Sequence, residues 1–478
     1  MLMVMIMKQR FVGREQELAS LNRLYARGSF QMTVIYGRRR VGKTALVNEF
    51  VRDKPHLFFT AQQRSEKLNL QTLSRDIYHT FGLPENTPAF STWTDALDFV
   101  AEKASDGRQM VFVFDEFPYA AQASPTLPST LQIAIDHALQ ATSIFLILCG
   151  SNQGFMESEV LGAKSPLYGR RTMQLKLMPL NYLDAAEMLP TDDPIRRIEY
   201  YAAFGGTPYY LQQIDATASL GENVSRLFFD ISGLLYAEPQ MLLRQELRQP
   251  ALYESVLNAI GQGATVPKRI AEKSGLEEKS IGRYLATLLD LGIIERVTPF
   301  NETSPKARRS IYRLADPFFA FWYRFVSGRT DLIEAGLGDV AAQSARGADF
   351  STYVGRQFEG ICLQWLILQA RKGATPFAPL ELGTWWGADP SAREQVDIDV
   401  VLANSQNKQL LAGECKWREA FDETAAIKTL EHRATIPGRY DETFLYLFSK
   451  HPVSEGTLQK AAASHGHLHA VSAAELYD

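Results

Sequence analysis

The sequence predicts an α/β fold built around a parallel sheet. An apolar run at residues 32–36 leads into a glycine-rich turn, and a helical pattern with apolar side chains at three- and four-residue spacing follows. Two further apolar runs, at residues 111–114 and 144–149, are typical of strands buried on both faces. Strands that alternate with helical stretches indicate a parallel sheet with helices packed on it.

The turn after the first strand fits the spacing Gly-x-x-x-x-Gly-Lys-Ser/Thr in the strand–turn–helix context that this motif requires. Backbone N–H groups of such a turn, with the positive end of the next helix, can wrap a phosphate chain. The glycines allow close approach of the backbone, the lysine reaches the terminal phosphates, and the threonine hydroxyl, here Thr44, ligates Mg²⁺. The predicted nucleotide site consists of Gly37, Arg38, Arg39, Arg40, Val41, Gly42, Lys43 and Thr44.

Two acidic residues, Asp115 and Glu116, directly follow the strand at residues 111–114. Open α/β sheets bind ligands beyond the carboxyl ends of their strands, so we expect both acids beside the nucleotide. We predict that Asp115 holds Mg²⁺, directly or through water, and that Glu116 polarises the water that attacks the γ-phosphate. The alternative is a solvated acidic turn, which a phosphate-binding turn upstream makes less favourable.

Polar residues also follow the next strand and a later loop. Ser151 and Asn152 either touch the γ-phosphate or form an ordinary turn. Arg170 and Arg171 either supply an arginine finger, in cis or from a neighbouring subunit, or form a solvent-exposed pair. Arg170 is our candidate, with Arg171 as the alternative, and a finger in trans requires a homo-oligomer.

Composition places few limits on the partners. The length of 478 residues suggests about three domains of roughly 100–200 residues each. A formal net charge of −4 gives no overall attraction to nucleic acid or membrane, so polyanion binding has to come from local patches. The three cysteines lack metal-binding spacing, and no apolar run approaches the roughly 18–20 residues of a membrane-spanning helix. We therefore expect a cytoplasmic protein with reduced thiols and no membrane partner.

Residues 251–314 show three helical patterns followed by a hairpin, which is the pattern of a winged helix-turn-helix module. Such modules often bind DNA. The third helix opens with Glu277 and Glu278, which suit phosphates badly. Basic residues of the predicted wing are Lys306, Arg308 and Arg309. The module therefore either contacts DNA or packs against the rest of the chain.

The last 133 or so residues carry a second group of chemically active side chains. Alternation puts Asp397 and Asp399 on one face of a predicted strand, and Glu414 and Lys416 on one face of the next. If these strands form a hairpin with matching faces, three acids and an ammonium meet at one point. Carboxylate oxygens suit Mg²⁺, and a nearby lysine can orient a water for in-line attack on a phosphodiester. The alternative is a salt-bridged surface hairpin.

Six short motifs in the first half of the chain lie at residues 11–15, 37–44, 114–116, 148–151, 166–170 and 205–211. Their residues and their order resemble the archaeal-type ATPase family, within the broader AAA+/STAND class of P-loop NTPases. The resemblance covers roughly residues 8–245. It implies a parallel-sheet core that binds Mg-ATP and hydrolyses it, followed by a helical lid in which residues 205–211 lie near the nucleotide.

In the C-terminal region, Asp399, the stretch Glu414-Cys415-Lys416 and the upstream helical Glu359 resemble the PD-(D/E)XK nuclease superfamily. The region is also similar to a C-terminal domain of uncertain function that is fused to archaeal-type ATPases. The resemblance implies a restriction-endonuclease-like α/β fold in which Glu359, Asp399 and Glu414 ligate a metal. Glu414 and Lys416 would then act in DNA cleavage, and a nuclease fold without activity is the alternative.

These patterns predict five segments in chain order. They are a P-loop ATPase core (1–178), a helical lid (179–248), a winged helix-turn-helix (249–315), an aromatic linker (316–345) and a nuclease-like domain (346–478). Two functions are compatible with this order. The first is an ATPase whose nucleotide cycle is coupled to DNA cleavage. The second is a STAND-like ATP switch whose winged helix docks a partner or a promoter, while the C-terminal fold only scaffolds.

Overall fold

The computed structural model describes residues 11–84, 86–302 and 309–478. Lys306 and Arg308, two basic residues of the predicted wing, lie outside the described residues. The chain divides into two compact units. The first consists of residues up to Leu180 together with Thr207–Tyr209, and the second of Asn181–Gly206 and Tyr210–Asp478. The finer division into five segments stays a prediction.

The first unit is built on a parallel sheet, as predicted. Its strands are β1 (Gln31–Tyr36), β2 (His56–Thr60), β3 (Met110–Asp115), β4 (Ile144–Gly150) and β5 (Met173–Lys176). They lie in the order β2-β3-β4-β1-β5 and all neighbours are parallel. Every residue of β1, β3 and β4 is buried, which explains their continuous apolar runs.

Helices cover both faces of this sheet. They are α1 (Glu15–Tyr25), α2 (Lys43–Val51), α3 (Glu66–Phe81), α4 (Trp93–Lys103), α5 (Phe117–Ala123), α6 (Leu127–His137) and α7 (Gln153–Phe155). One apolar cluster joins the sheet to α3, α4, α5 and α6, and a second joins it to α1 and α2. The α/β prediction is therefore confirmed, and the glycine-rich turn lies at the carboxyl end of β1, an interior strand between β4 and β5.

The next part of the chain is helical. Its helices are α8 (Tyr182–Ala186), α9 (Pro194–Phe204), α10 (Pro208–Leu211), α11 (Leu220–Phe228) and α12 (Glu238–Glu246). Side chains at the first positions of several of these helices accept hydrogen bonds from free backbone N–H groups. Ser219 and Glu222 form a reciprocal capping box at the start of α11.

Three helices and a two-stranded antiparallel hairpin follow. They are α13 (Pro250–Gly261), α14 (Pro267–Ser274), α15 (Glu278–Asp290), β6 (Ile294–Val297) and β7 (Ile311–Leu314). The aromatic stretch after the hairpin forms α16 (Pro317–Phe321), and α17 (Thr330–Glu334) and α18 (Gly338–Ala342) come next. Phe318 and Phe321 of α16 are fully buried, and both pack on Phe228 of α11, so this stretch is a packing anchor.

The C-terminal part is a five-stranded mixed sheet between helices. Its elements are α19 (Gly347–Arg371), β8 (Glu381–Asp389), β9 (Glu394–Asn404), β10 (Gln409–Lys416), α20 (Glu423–Arg433), β11 (Glu442–Ser449), α21 (Glu455–Ala463) and β12 (Leu468–Ser472). The order is β12-β11-β10-β9-β8, with β10, β11 and β12 parallel and β8–β9 and β9–β10 antiparallel. Leu447 packs in the α20 cluster and Phe448 packs on Trp365 of α19, so the two helices cover opposite faces.

No helix among the described residues combines the length and the apolar content that are needed to cross a bilayer.

Candidate functional site

The predicted nucleotide loop connects β1 to α2 and has a glycine-dependent backbone. Gly37 has φ 151° and Gly42 has φ 94°, both in regions that disfavour other residues. A Cβ on Gly37 would collide with the carbonyl oxygen of Leu177, just beyond β5. Arg40 also has a positive φ, of 70°, so the loop contains a strained non-glycine residue. The loop is therefore held in one shape by its neighbours.

Lys43 and Thr44 begin α2 directly after the loop. The Lys43 ammonium is buried and donates hydrogen bonds to the carbonyl oxygens of Gly37 (2.9 Å) and Arg38 (3.0 Å), so it spans the loop. The Thr44 hydroxyl donates to Asp115 Oδ2 at 3.3 Å. The two oxygen ligands predicted for Mg²⁺ thus lie next to each other.

Asp115 is the last residue of β3 and Glu116 follows it, and β4 lies between β3 and β1. Burial raises the pKa of Asp115, and a hydrogen bond from the Cys149 thiol opposes this shift. Glu116 has φ 50°, and its Oε2 accepts hydrogen bonds from the Ser151 hydroxyl (2.9 Å) and backbone N–H (3.3 Å). Ser151 therefore orients the predicted general base. Asn152 caps α7 instead, by accepting from Phe155 N at 2.9 Å.

Two arginines of the loop contact the segment Thr207–Tyr209, which belongs to the first unit. Arg38 donates to the buried hydroxyl of Thr207 at 2.9 Å. The Arg40 guanidinium lies 4.6 Å from the ring centroid of Tyr209, in cation–π geometry. The lid segment that was expected near the nucleotide therefore contacts the loop itself.

Other supports of the loop carry no motif of their own. Arg14, just before α1, donates to the carbonyl oxygen of Val41 at 3.2 Å. Arg39 donates to the hydroxyl of Tyr119 on α5. Sequence reasoning missed both pairs. The only signal was the position of Arg14 inside the motif at residues 11–15.

Arg170 lies near the amino-terminal ends of the strands, whereas the nucleotide loop lies at their carboxyl ends. Thr172 N donates to Met32 O at 2.8 Å, where β1 begins, whereas the loop follows the end of β1. The Arg170 guanidinium forms a two-pronged ion pair with Asp136 of α6, at 2.8 and 2.6 Å. A finger in cis does not fit this position, which corrects that part of the prediction. Action in trans, by Arg170 or Arg171, stays a prediction.

The second site lies where β9 and β10 pair. Val400 is opposite Gly413, and Asp399 Oδ2 accepts a hydrogen bond from Cys415 N at 2.7 Å. Burial raises the pKa of Asp399 well above its ordinary value, and the nearby carboxylates of Glu359 and Glu414 add to this shift. Burial likewise raises the pKa of Glu359 to about 7. Glu359, Asp399 and Glu414 therefore share one electrostatic environment.

Strict alternation along β9 fails next to Asp399. Ile398 and Val401 both pack in the α20 cluster, although three positions separate them. The β8–β9 pairing explains this, because Gly383 is opposite Val401 and Trp385 is opposite Ile398. One extra residue of β9 forms a bulge there, and bulges often redirect a side chain beside an active site. The irregularity begins after Ile398, so it leaves the predicted common face of Asp397 and Asp399 a prediction and breaks the alternation only between Asp399 and Val401.

Cations surround the acids. Lys416 forms an ion pair with Glu414, the buried acid two residues before it. Arg433, the last residue of α20, has its Nη1 at 3.6 Å from Glu414 Oε2 and 3.3 Å from Asp397 Oδ1. Sequence reasoning missed Arg433. Because no three acidic, histidine or cysteine side chains of the described chain are arranged to hold a metal ion, metal ligation here stays a prediction.

Comparison with known proteins identifies two regions. Residues 11–214 match the family described as an ATPase domain predominantly from Archaea, and residues 322–428 match a family of archaeal and bacterial proteins of unknown function. An uncharacterized protein of Methanocaldococcus jannaschii is 31% identical over 414 residues, which cover 86% of this chain and 88% of that protein. The chain belongs to the archaeal-type ATPase family. The ATPase prediction is thereby confirmed at the level of the family.

Other comparisons with this archaeal-type ATPase are more distant or shorter. An uncharacterized ATP-binding protein of the same organism is 43% identical over 44 residues, 9% of this chain and 75% of that protein. The Walker-type ATPase of Pyrococcus abyssi shares 19% identity at a TM-score of 0.48, covering 66% of this chain and 97% of that one. The ORC2 protein of Aeropyrum pernix shares 14% identity at a TM-score of 0.41, covering 69% and 97%.

The residues of the ATPase loop fit Mg-ATP. Gly37 and Gly42 supply a backbone without side chains, and Lys43 supplies the buried ammonium. Thr44 and Asp115 supply adjacent oxygens of the kind that Mg²⁺ binds. All five positions were predicted from the sequence.

Proposed function

We propose that this archaeal-type ATPase binds and hydrolyses Mg-ATP at the glycine-rich loop and couples this cycle to phosphodiester cleavage in DNA by its C-terminal acidic site. One observation supports the C-terminal half most directly. Glu359 from α19, Asp399 from β9 and Glu414 with Lys416 from β10 act on one another electrostatically at one end of the mixed sheet. Glu414 is buried and Glu359 and Asp399 are half-buried, and structural ion pairs rarely bring three such acids together, because each carboxylate raises the cost of ionising the next.

In the ATPase half, the amides of the loop and the Lys43 ammonium bind the phosphates. Thr44 and Asp115 would hold Mg²⁺, which when bound neutralises the charge that develops on the phosphate oxygens. Glu116 orients the attacking water and accepts its proton, and the Ser151 hydroxyl keeps the Glu116 carboxylate in place. Motion of the Thr207–Tyr209 segment on the loop arginines is the means by which nucleotide state reaches the lid.

In the C-terminal half, Glu359, Asp399 and Glu414 are not arranged as a complete metal site in the described chain; they would hold a divalent metal if their carboxylates move closer together, and that metal would supply stabilisation of charge on a phosphodiester. Lys416 orients the attacking water, for which it must leave its ion pair with Glu414. The raised pKa values of Glu359 and Asp399 support a cation site, because half-buried carboxylates that repel one another are stabilised by added positive charge.

The test is nicking of supercoiled plasmid by the full-length protein with Mg²⁺ or Mn²⁺. Lys416→Ala should lower the rate by about 100-fold or more if the ammonium positions the water. Lys460→Ala is the matched control. Lys460 lies on α21, its side chain is half exposed, and its ion pair with Glu431 is long at 3.9 Å. Equal nicking by the Lys416→Ala protein would rule out the proposed role of this site.

A second candidate function is an ATP-dependent switch whose C-terminal fold has no catalytic activity. The observation in its favour is that Lys416 and Arg433 already pair with Glu414. In this function the three-helix and hairpin module is a winged helix that docks DNA or a protein. Intact ATP turnover, together with no cleavage of any nucleic acid by the wild type under either metal, would select this function.

A further inference from the structure

We infer that Arg313 of β7 and Arg433 of α20, both outside the predicted motif, hold the phosphate backbone of a nucleic acid at the C-terminal acidic site. The β6–β7 hairpin is then one wall of that site rather than a free wing. This inference rests on the proposed function, because it assigns the residues that hold the substrate of the same site.

The hairpin connection is fastened to the mixed sheet by its backbone and its side chains. Phe300 N donates a hydrogen bond to Thr384 O on β8 at 3.0 Å. The Phe300 ring packs against the apolar cluster between the sheet and α20. The neighbouring Asn301 donates from Nδ2 to Pro437 O at 2.9 Å. The first arm of the connection is therefore docked on the C-terminal fold.

The part of the connection that leads into β7 also contacts the C-terminal fold, through Arg309. Arg309 Nη1 donates to Trp386 O on β8 at 3.1 Å, and Arg309 also pairs with Glu302 at 3.4 Å. Arg309 was predicted to make the wing basic for DNA. Its guanidinium instead serves the contact with β8, so a wing that inserts freely into a DNA groove is not what this arrangement favours.

This docking brings Arg313 to the acids. Arg313 lies on β7, pairs with Glu295 of β6 at 2.6 Å, and keeps 40% of its side chain exposed. Among the charged groups that act on Glu359, the Arg313 guanidinium has the largest effect, so it lies within electrostatic reach of this acid. The hairpin therefore supplies a cation to a site whose acids lie on other elements.

Arg433 approaches the same acids from another element. Its Nη1 donates to the carbonyl oxygen of Asp397 at 3.1 Å and lies 3.6 Å from Glu414 Oε2. This Oε2 is buried and accepts no hydrogen bond from the described residues. The guanidinium thus has only a long contact with the Glu414 carboxylate, and its hydrogen bonds to Asp397, the second of them to Oδ1 at 3.3 Å, use the same Nη1 atom. It retains donors for a further oxyanion.

A nucleic-acid backbone is the ligand that fits two guanidiniums beside a group of partly buried carboxylates. An anionic substrate cannot approach an acidic site without cations beside it, and guanidinium forks match phosphate oxygens. The third helix of the module, α15, offers fewer basic side chains for phosphate contacts, because two of them already have partners. Lys279 pairs with Glu277 at 3.0 Å, and Arg283 donates to Tyr284 Oη at 2.9 Å. Phosphate contacts are therefore expected at the acidic site and not along α15.

The test is the binding of fluorescent single-stranded and duplex oligonucleotides by the full-length protein in a chelator, over a range of salt. Arg313→Ala and Arg433→Ala should each weaken binding by about 10-fold and reduce the salt slope by about one. Arg283→Ala on α15 is the matched control and should bind as the wild type does. Arg433→Lys should restore part of the affinity, which loss of folding would not allow.

Normal binding by both Arg313→Ala and Arg433→Ala would overturn this inference, whatever Arg283→Ala does. Absence of binding to any oligonucleotide by the wild type would overturn it too. Failure of the proposed cleavage has a different signature. In that case the wild type binds through Arg313 and Arg433 but produces no nicked plasmid with Mg²⁺ or Mn²⁺. Such a result supports the assignment of the two arginines and removes only the cleavage.

Discussion

The nucleotide loop and the C-terminal acidic site differ in how they are assembled. The loop consists of eight consecutive residues, and its ligand-binding groups are largely backbone N–H groups that the turn itself orients. The acidic site takes one side chain each from α19 and β9 and two from β10, and its cations also come from β7 and α20. A contiguous site can be identified from residue spacing, whereas a dispersed site depends on long-range packing.

The largest effect is expected for Lys43→Ala, which tests whether the contiguous loop is the nucleotide site. The ammonium is buried and spans the loop, so we expect ATP affinity or turnover to fall by about 100-fold or more when it is removed. Isothermal titration with Mg-ATP measures the affinity. Lys67→Ala, at an exposed position on α3, is the control. Unchanged ATP binding by Lys43→Ala would show that the loop is not the nucleotide site.

Phe300→Ala tests the dispersed site through a residue that touches none of its acids. Removing a partly buried ring from the edge of the apolar cluster should lower the free energy of unfolding by about 2 kcal/mol. It should also weaken oligonucleotide binding, because the position of Arg313 depends on the docked hairpin. Urea denaturation and anisotropy measure the two effects. Loss of stability with full binding would mean that the hairpin is only a structural support.

The nucleotide loop could be predicted from the sequence more completely than the C-terminal site. The loop was predicted residue by residue because its spacing is local, but its partners Arg14 and Thr207 depend on tertiary contacts. For the C-terminal site, alternation correctly grouped Glu414 with Lys416. It could not reveal the bulge beside Asp399, because the extra residue is defined only by pairing with β8. Arg433 looks like any basic residue at a helix end.

A pair of variants in the first unit tests whether Arg170 is a structural partner of Asp136 or an arginine finger in trans. If it serves only as the partner of Asp136, Arg170→Ala and Asp136→Ala should each lower stability by roughly 0.5–1 kcal/mol and leave ATP turnover intact. If it is a finger in trans, only Arg170→Ala should lower turnover, and the loss should depend on protein concentration. Thermal melts and ATPase assays of both variants separate the two cases.

The smallest effect is expected at Asp76 on α3, which belongs neither to the nucleotide site nor to the C-terminal acidic site. Burial raises its pKa from 3.8 to about 6. The folded state therefore binds this proton more tightly, so its contribution to stability falls as pH rises from about 4 to 6 and is constant above that range. After allowance for partial exposure, Asp76→Asn should be about 1 kcal/mol more stable than wild type at pH 7 and equal near pH 4. Urea titrations at both pH values measure this difference.

The hydrogen bond from Phe300 to Thr384 has a practical consequence for dividing the chain. A fragment that starts at Gly347 would lose the donor for the Thr384 carbonyl and expose the apolar surface that Phe300 covers. We expect it to aggregate on expression, whereas a fragment that starts at Pro250 keeps both partners. We therefore expect the smallest fragment that folds on its own to begin before the C-terminal family match at residues 322–428, because a truncation at the edge of that match removes both contacts of Phe300.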